Sequence, residues 1–326
     1  MIRKEPKTLD GVIAECEEAE RLGIANLEDL YKPKAIAIPL GEFLAKELPE
    51  RESIIQPCLP KQGLMMIYAK RGVGKTYFAL FLACKIASGS SLFNERWKIS
   101  RKWKVLYIDG EMPANSMQER LRTLANNSCD KENLSILTRD LQMNGVMPNL
   151  ATEEGQEAIE HLIEKADVVI VDNLSTLATG GKENEANSWD PIASWALRLR
   201  SCGKSVIFIH HAGKDNNQRG TSKKEDILDT VINLKHPHNY NSEEGARFEI
   251  HFEKSRGFAG EDSKPFEVKL HLEENQASWE VFELEDLEEK RVVELASGGD
   301  LSQRDIAHET GLSLSKVNRI LKKFKE

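Results

Sequence analysis

Long apolar runs are missing from this chain of 326 residues. None approaches the ~20 residues that a membrane-spanning helix needs, so no membrane partner is expected. Residues Met1 to Asp10 are polar and lack the apolar centre of a secretory leader. Cysteine is scarce, and Cys16, Cys58, Cys84, Cys129 and Cys202 are scattered without metal-ligand spacing. Cys84 falls in an apolar helical pattern, as a buried thiol does. Together these features point to a reduced, cytoplasmic protein. Internal repeats and low-complexity tracts are lacking too. Positive charge is not in excess: 45 Lys and Arg stand against 53 Asp and Glu, a formal net charge of -8. That balance excludes a wholly basic nucleic-acid coat, yet local basic patches still set the field at a site. With 40% hydrophobic and 30% charged residues, the chain is long enough for one sizeable core plus a small appended module.

Three regions follow from the pattern. Residues 1–57 are polar, acidic and rich in helix formers, with short helices expected at Gly11–Arg21 and Gly41–Leu48. They read as a helical extension, either solvated or packed on a neighbouring subunit. Residues 58–285 alternate apolar strands with helices. Strands are expected at Leu64–Tyr68, Val105–Asp109, Leu134–Thr138, Val168–Asp172 and Ser205–His210, and helices at Thr76–Ala87, Met117–Leu124, Gly155–Ala166 and Pro191–Arg200. This alternation predicts an α/β fold with a mostly parallel sheet covered on both faces. The period then shortens to two at Ala246–Glu253, Pro265–Glu273 and Ala277–Leu284, which predicts antiparallel strands extending the sheet. Residues 286–326 turn helical again as a small all-α module.

The segment Ala69-Lys70-Arg71-Gly72-Val73-Gly74-Lys75-Thr76-Tyr77 lies between an apolar strand and an apolar helix, the context of a phosphate-binding Walker A loop. Gly72 and Gly74 let several backbone N–H groups converge on one anion. The helix beginning near Lys75 adds its positive end. Lys75 would reach the β- and γ-phosphates of ATP, and the Thr76 hydroxyl would ligate Mg²⁺. Ala69 stands where a first glycine is expected, which is tolerable if that residue is extended. Val168–Asp172 delivers a carboxylate from a buried strand, so Asp172 would hold the Mg²⁺ water shell. Asn173 follows it where many such ATPases carry glutamate, so the catalytic base must come from elsewhere. Glu111, at the end of Val105–Glu111, is the candidate, with a solvated loop acid as the alternative reading. The pair His210 and His211 ends another apolar strand. Either imidazole would suit a γ-phosphate contact, and the residues alone do not choose between them.

In combination, the runs Tyr68–Thr76, Val105–Pro113, Val168–Asn173 and His210–Ser222 resemble the RepA-type, AAA-like ATPases of RecA fold, which include hexameric replicative helicases. The resemblance implies that Glu111 is the catalytic base, Asp172 the Walker B carboxylate and His211 the γ-phosphate sensor, in a ring with nucleotide between subunits. Lys254 and Arg256 have the K-x-R spacing of the finger that related helicases insert into the adjacent site, and Arg219 is a rival for that role. The loops Thr179–Asn187 and Gly213–Lys224 would face the ring's channel, where single-stranded DNA passes.

At the C-terminus, Glu288–Ala296 reads as a helix. Ser302 and Asp305 form a capping pair, Gly311 permits a tight turn, and Ser313 or Ser315 caps a last helix with a core face of Val317, Ile320 and Leu321. This pattern predicts a helix-turn-helix that binds duplex DNA through Ser315, Lys316, Asn318 and Arg319, with Lys322, Lys323 and Lys325 on phosphates. The expected activity is Mg²⁺-dependent ATP hydrolysis coupled to DNA binding or translocation, as in a replicative helicase of a plasmid, phage or mobile element. The alternatives are an ATP-dependent recombination or helicase-loading factor and a nucleotide-switched DNA-binding regulator.

Overall fold

The computed structural model describes residues 36–124, 129–179, 189–213, 225–273, 276–299 and 301–324. The chain divides into two compact units, Met1–Glu50 and Arg51–Glu326. In the first, the described residues carry one short helix, α1 (Leu40–Ala45), with no buried residue. The expected helix Gly11–Arg21 lies outside the described residues. The boundary expected at 57 falls inside the second unit. There Ser53–Ile55 (β1) pairs antiparallel with Leu59–Pro60 (β2), and Ile54 and Ile55 are fully buried. Two consecutive large apolar residues are what bind this segment to the core.

Among the described residues, nine strands build one sheet. They are β3 (Leu64–Ala69), β4 (Val105–Asp109), β5 (Leu134–Thr138), β6 (Val168–Asp172), β7 (Ser205–His211), β8 (Thr230–Lys235), β9 (Arg247–Ser255), β10 (Phe266–Glu273) and β11 (Gln276–Glu283). Their order is β11-β10-β9-β8-β3-β7-β6-β4-β5. The strands from β8 to β5 are parallel, and β8 to β11 pair antiparallel. The central strands β3, β4, β6 and β7 are buried along their whole length, as expected for parallel strands covered on both faces.

Alternation along the strands divides the core in two. Met65, Ile67 and Ala69 of β3, Ile170 of β6, and Ile207 and Ile209 of β7 face α2 (Lys75–Ser88) and α3 (Ala114–Leu124). Leu64, Met66, Tyr68, Val169, Val171, Val206 and Phe208 point the other way. They meet α4 (Glu153–Ala158), α5 (Glu160–Ile163), α6 (Leu174–Leu177) and α7 (Asp190–Ser201). The helix expected at Gly155–Ala166 is therefore two short pieces. Ile159 leaves the helical region at φ -110° and ψ 1°, a break that leaves the apolar spacing unchanged.

An aromatic cluster locks α2 to the antiparallel part of the sheet. The Phe78 ring lies 6.0 Å from Phe93, 6.1 Å from Trp97, 5.7 Å from Phe248 and 6.3 Å from Trp279.

The C-terminal module comprises α8 (Leu284–Ser297), α9 (Gln303–Thr310) and α10 (Leu314–Lys323) around Val292, Ile306, Val317 and Ile320. The Ser302 hydroxyl accepts from the Asp305 N–H at 3.3 Å, while Asp305 accepts from the Ser302 N–H at 3.0 Å. That reciprocal pair caps α9 as expected. Gly311 follows at φ 70°. Ser313, not Ser315, caps α10 by accepting from the Lys316 N–H at 3.3 Å.

Truncating the hub of the aromatic cluster should be costly, because Phe78 is fully buried and its neighbours are too large to collapse into the void. Phe78→Ala is expected to lower unfolding free energy by about 3–5 kcal/mol, read as a lower urea midpoint at unchanged slope.

Candidate active site

The site forms where β3, β7, β6 and β4 end, on the face that carries α2. Between β3 and α2, Gly72 and Gly74 adopt φ 85° and 108°, a left-handed backbone open to glycine without strain. A side chain at Gly74 would also stand 3.0 Å from the Ala246 side chain, so the loop before β9 packs directly on the phosphate loop. Ala69 is the last residue of β3 and therefore extended, which accommodates its methyl group at the loop entry. Lys75 is buried, and its ammonium donates to the Lys70 carbonyl at 3.2 Å. Burial pulls its pKa below the ordinary lysine range, and the nearby Asp172 and Glu111 charges oppose that shift.

Asp172 sits at the end of β6, 4% exposed. The Tyr107 hydroxyl, from the neighbouring β4, donates to its Oδ2 at 2.6 Å. Burial raises the Asp172 pKa, while the Tyr107 bond, Lys75 and the Thr76 hydroxyl work to lower it. Thr76 and Asp172 thus place two hard oxygen donors side by side next to the phosphate loop. That donor set fits Mg²⁺, which takes few protein ligands and completes its shell with phosphate and water oxygens.

Asp109, two residues along from Tyr107 on the same face, accepts from the Met112 N–H at 2.8 Å. Its pKa is pushed up to about 7 by burial first, with the Asp172 charge adding to it and the Met112 hydrogen bond opposing. The turn it holds carries Glu111, whose carboxylate accepts from the Asn173 amide and lies 3.7 Å from the His211 imidazole. Asn173 Nδ2 is also 3.2 Å from His211 Nε2. Burial, followed by the Lys75 charge, depresses the His211 pKa against the pull of Glu111. His211 is therefore neutral near pH 7.

The structure brings together Lys75, Thr76, Glu111, Asp172 and His211. Alternation along β7 decides between the two histidines. His211 shares the α2 face with Ile207 and Ile209, whereas His210, paired with Tyr68, lies on the opposite face. Lys254 and Arg256 do not join this group. Thr230 pairs with both Met65 and Ser255, so both cations stand at the end of the sheet opposite their own phosphate loop. Lys254 donates to the Glu225 carbonyl. The Arg256 guanidinium lies 3.9 Å from Asp229 and 56% of its side chain is exposed. Arg219, Lys214, Lys223 and Lys224 lie outside the described residues, as do Lys325 and most of the two expected channel loops.

Tyr107, Asp109 and Asn173 are members of the site that motif reading passed over. For Tyr107 and Asp109 a signal existed: polar groups two apart in an otherwise apolar strand share a face.

A family model described as an AAA domain matches residues 31–217, more than half of the chain. The chain belongs to the AAA domain family. A second model, described as winged helix-turn-helix DNA-binding, matches residues 293–326 of this AAA protein. It thus joins a P-loop ATPase domain to a helix-turn-helix of DNA-binding type. Among solved structures it is similar to the flagellar accessory protein FlaH from Methanocaldococcus jannaschii. The identity is 15%, 68% of this chain and 90% of that chain are covered, and the TM-score is 0.49. It is also similar to a KaiC-like protein from Pyrococcus horikoshii OT3, at 14% identity, 71% and 99% coverage and a TM-score of 0.48. No curated protein matches the sequence. Among the described residues no helix is long and apolar enough to cross a membrane.

On α10, Asn318, Arg319, Lys322 and Lys323 are exposed. Lys316 is half-buried and pairs with Glu288 of α8, and Lys323 bonds Glu289 at 2.8 Å. Ser315, like Asn318, Arg319 and Lys322, is exposed on α10.

The raised pKa of Asp109 has a consequence for stability. Between its unfolded value and about 7, the native protein holds a proton that the unfolded chain has lost. Stability then falls as pH rises through that window. In the nucleotide-free protein, Asp109→Asn is expected to flatten this decline, measured as the difference in urea unfolding free energy between about pH 5 and about pH 8.

Proposed function

We propose that this AAA ATPase is a Mg²⁺-dependent, RepA-like motor. It forms a hexameric ring and moves along or separates DNA strands during replication of a plasmid, phage or similar element. The observation that carries the reading is the convergence of Glu111 and His211, 3.7 Å apart, on the sheet face that also holds Lys75 and Asp172. In this reading Glu111 orients the attacking water and takes its proton. His211 contacts the γ-phosphate. Residues 69–77 hold the phosphates, with Lys75 as the cation among them. Thr76 and Asp172 hold Mg²⁺, which when bound neutralises charge on the phosphates.

Lys254 and Arg256 are assigned to the next subunit's site, where an incoming cation stabilises transition-state charge. Their distance from their own phosphate loop and the exposure of Arg256 support action in trans. Single-stranded DNA runs through the ring channel. The helix-turn-helix binds duplex DNA through Asn318 and Arg319 at base edges and Lys322 and Lys323 at phosphates.

Kinetic, mass and strand-opening measurements test this. Glu111→Gln is expected to bind ATP normally and hydrolyse it ~10²–10⁴-fold more slowly, while single-stranded DNA accelerates the wild-type protein and nucleotide raises its mass to that of a ring. A wild-type rate indifferent to single-stranded DNA, together with failure to open a forked duplex, would leave an ATPase that is not a motor.

The tail is tested by substitution in the full chain and by removing it. Lys322→Ala should weaken duplex affinity equally for all sequences and reduce the salt slope by about one, whereas Arg319→Ala should also blur sequence preference. Ending the chain at Leu284 should abolish duplex binding and leave ATP hydrolysis intact. Unchanged duplex binding in that shortened chain would place the DNA contact elsewhere.

A further inference from the structure

Asn173 occupies the position after the metal-binding aspartate and is 1% exposed. All three polar ends of its side chain are engaged. Its Oδ1 accepts from the Thr176 N–H at 3.2 Å, capping the one-turn helix α6. This fixes the amide orientation, because the nitrogen must then face the opposite way. One Nδ2 hydrogen goes to the Glu111 carboxylate. The other faces His211 Nε2 at 3.2 Å. Since Nδ2 donates, His211 Nε2 accepts, and the neutral imidazole carries its proton on Nδ1. That Nδ1 is buried with no hydrogen-bond partner among the described residues.

A second contact ties the same elements together. Gly110, the residue before Glu111, abuts α6 so closely that a Cβ there would stand 2.5 Å from Thr176 Oγ1 and 2.8 Å from Leu177 Cγ. Gly110 N–H also donates to the Asp172 carbonyl at 2.8 Å. The turn bearing Glu111 is thus pressed against the helix that Asn173 caps, and its carboxylate is held by Asn173 itself.

We propose that Asn173 is the positioning residue for the base: its amide fixes the Glu111 carboxylate and links it to the state of His211. The proposal rests on the reading of Glu111 as base and His211 as γ-phosphate contact. A histidine that accepts from Asn173 through Nε2 cannot use that nitrogen to donate to a phosphate oxygen. Contact with the γ-phosphate therefore requires the proton to move to Nε2, and the Asn173–His211 bond is then lost. Asn173 is left with Glu111 as the sole acceptor for its amide in this group. The arrival of the γ-phosphate thus changes the bonding of the same amide that already holds Glu111, with no charge moved through the asparagine.

Substitution separates this role from simple capping. Serine and aspartate both cap helices about as well as asparagine, so Asn173→Ser and Asn173→Asp keep the α6 cap while removing the amide donor. Asn173→Ser is expected to keep the wild-type melting temperature and nucleotide affinity, but to hydrolyse ATP about 10²-fold more slowly, the scale of a misplaced reacting group. The double variant Asn173→Ser/Glu111→Gln should be no slower than Glu111→Gln alone, because the asparagine acts through the glutamate. A structural role would not move the His211 ring, so its ¹⁵N spectrum supplies an independent readout. The nucleotide-free wild type should show an unprotonated Nε2, and Asn173→Asp, which sets a carboxylate against that nitrogen, should protonate it.

A wild-type rate in Asn173→Ser beside a slow Glu111→Gln would overturn the proposal while leaving the base assignment standing. So would independent, multiplying losses in the double variant or an unchanged His211 spectrum in Asn173→Asp. Normal turnover by Glu111→Gln would instead remove the base assignment, and this inference with it.

Discussion

The seating of α2 on one face of the parallel strands is the constraint on which the site depends. Side chains along a strand alternate, so only every second residue reaches that face. Ala69, Asp109, Asp172 and His211 share this parity, each at or near the end of its strand. The short loop 70–74 then leaves Lys75 and Thr76 no other place to go. The aromatic cluster around Phe78 fixes α2 against β9 and β11. The antiparallel extension is therefore part of what holds the phosphate loop in register with the carboxylates.

Burial acts on both signs of charge in this cluster. It lowers the Lys75 pKa and raises those of Asp172 and Asp109, moving each towards its neutral form. An unpaired buried ion is costly. The Tyr107 hydroxyl on Asp172, the Lys70 carbonyl on Lys75 and the Met112 N–H on Asp109 offset part of that cost. A triphosphate beside Lys75 and a divalent cation beside Asp172 would each reverse the shift that burial imposes. Ligand binding would thus favour the charged form of both groups against burial, and the groups that tune this balance lie on β4 as well as on the phosphate loop.

Much of this arrangement was legible in the sequence, and the exceptions share a cause. The apolar runs at 105–109 and 168–172 coincide with strands β4 and β6, because a strand buried on both faces is mostly apolar, and the run at 134–138 coincides with the edge strand β5, where Ser135 is exposed. β8 escaped notice. Its run Thr230-Val231-Ile232-Asn233-Leu234-Lys235 contains an asparagine that is buried and bonded to Glu253 of β9, so a cross-strand contact hides behind a polar letter. Parity separates His211 from His210 using nothing beyond the sequence, once the α2 face is known. The Glu111–Asn173–His211 group was not legible, because it joins residues from the ends of three strands whose order in the sheet no local pattern encodes. Asn173 was read only as the lack of a glutamate, and its own chemistry became visible with its neighbours.

The helix-turn-helix poses a different balance. Lys316 and Lys323 pair with Glu288 and Glu289 of α8, so the glutamates that steady α10 also neutralise two of its cations. Lys323 is well exposed, and an exposed ion pair of this kind is worth about 0–1 kcal/mol. DNA phosphate can therefore take Lys323 from its partner at small cost. Lys316 is more sheltered, near the N-terminal end of α10, and its pairing with Glu288 ties α10 to α8. Charge on this module is divided accordingly: Arg319 and Lys322 are open to a ligand, Lys323 is exchangeable, and Lys316 serves the contact between α8 and α10. On a chain with net charge -8, the exposed Arg319 and Lys322 of α10 are accompanied by further exposed cations of the module, Lys290 and Arg304, so the field a duplex would meet is set by this local group and not by the total charge.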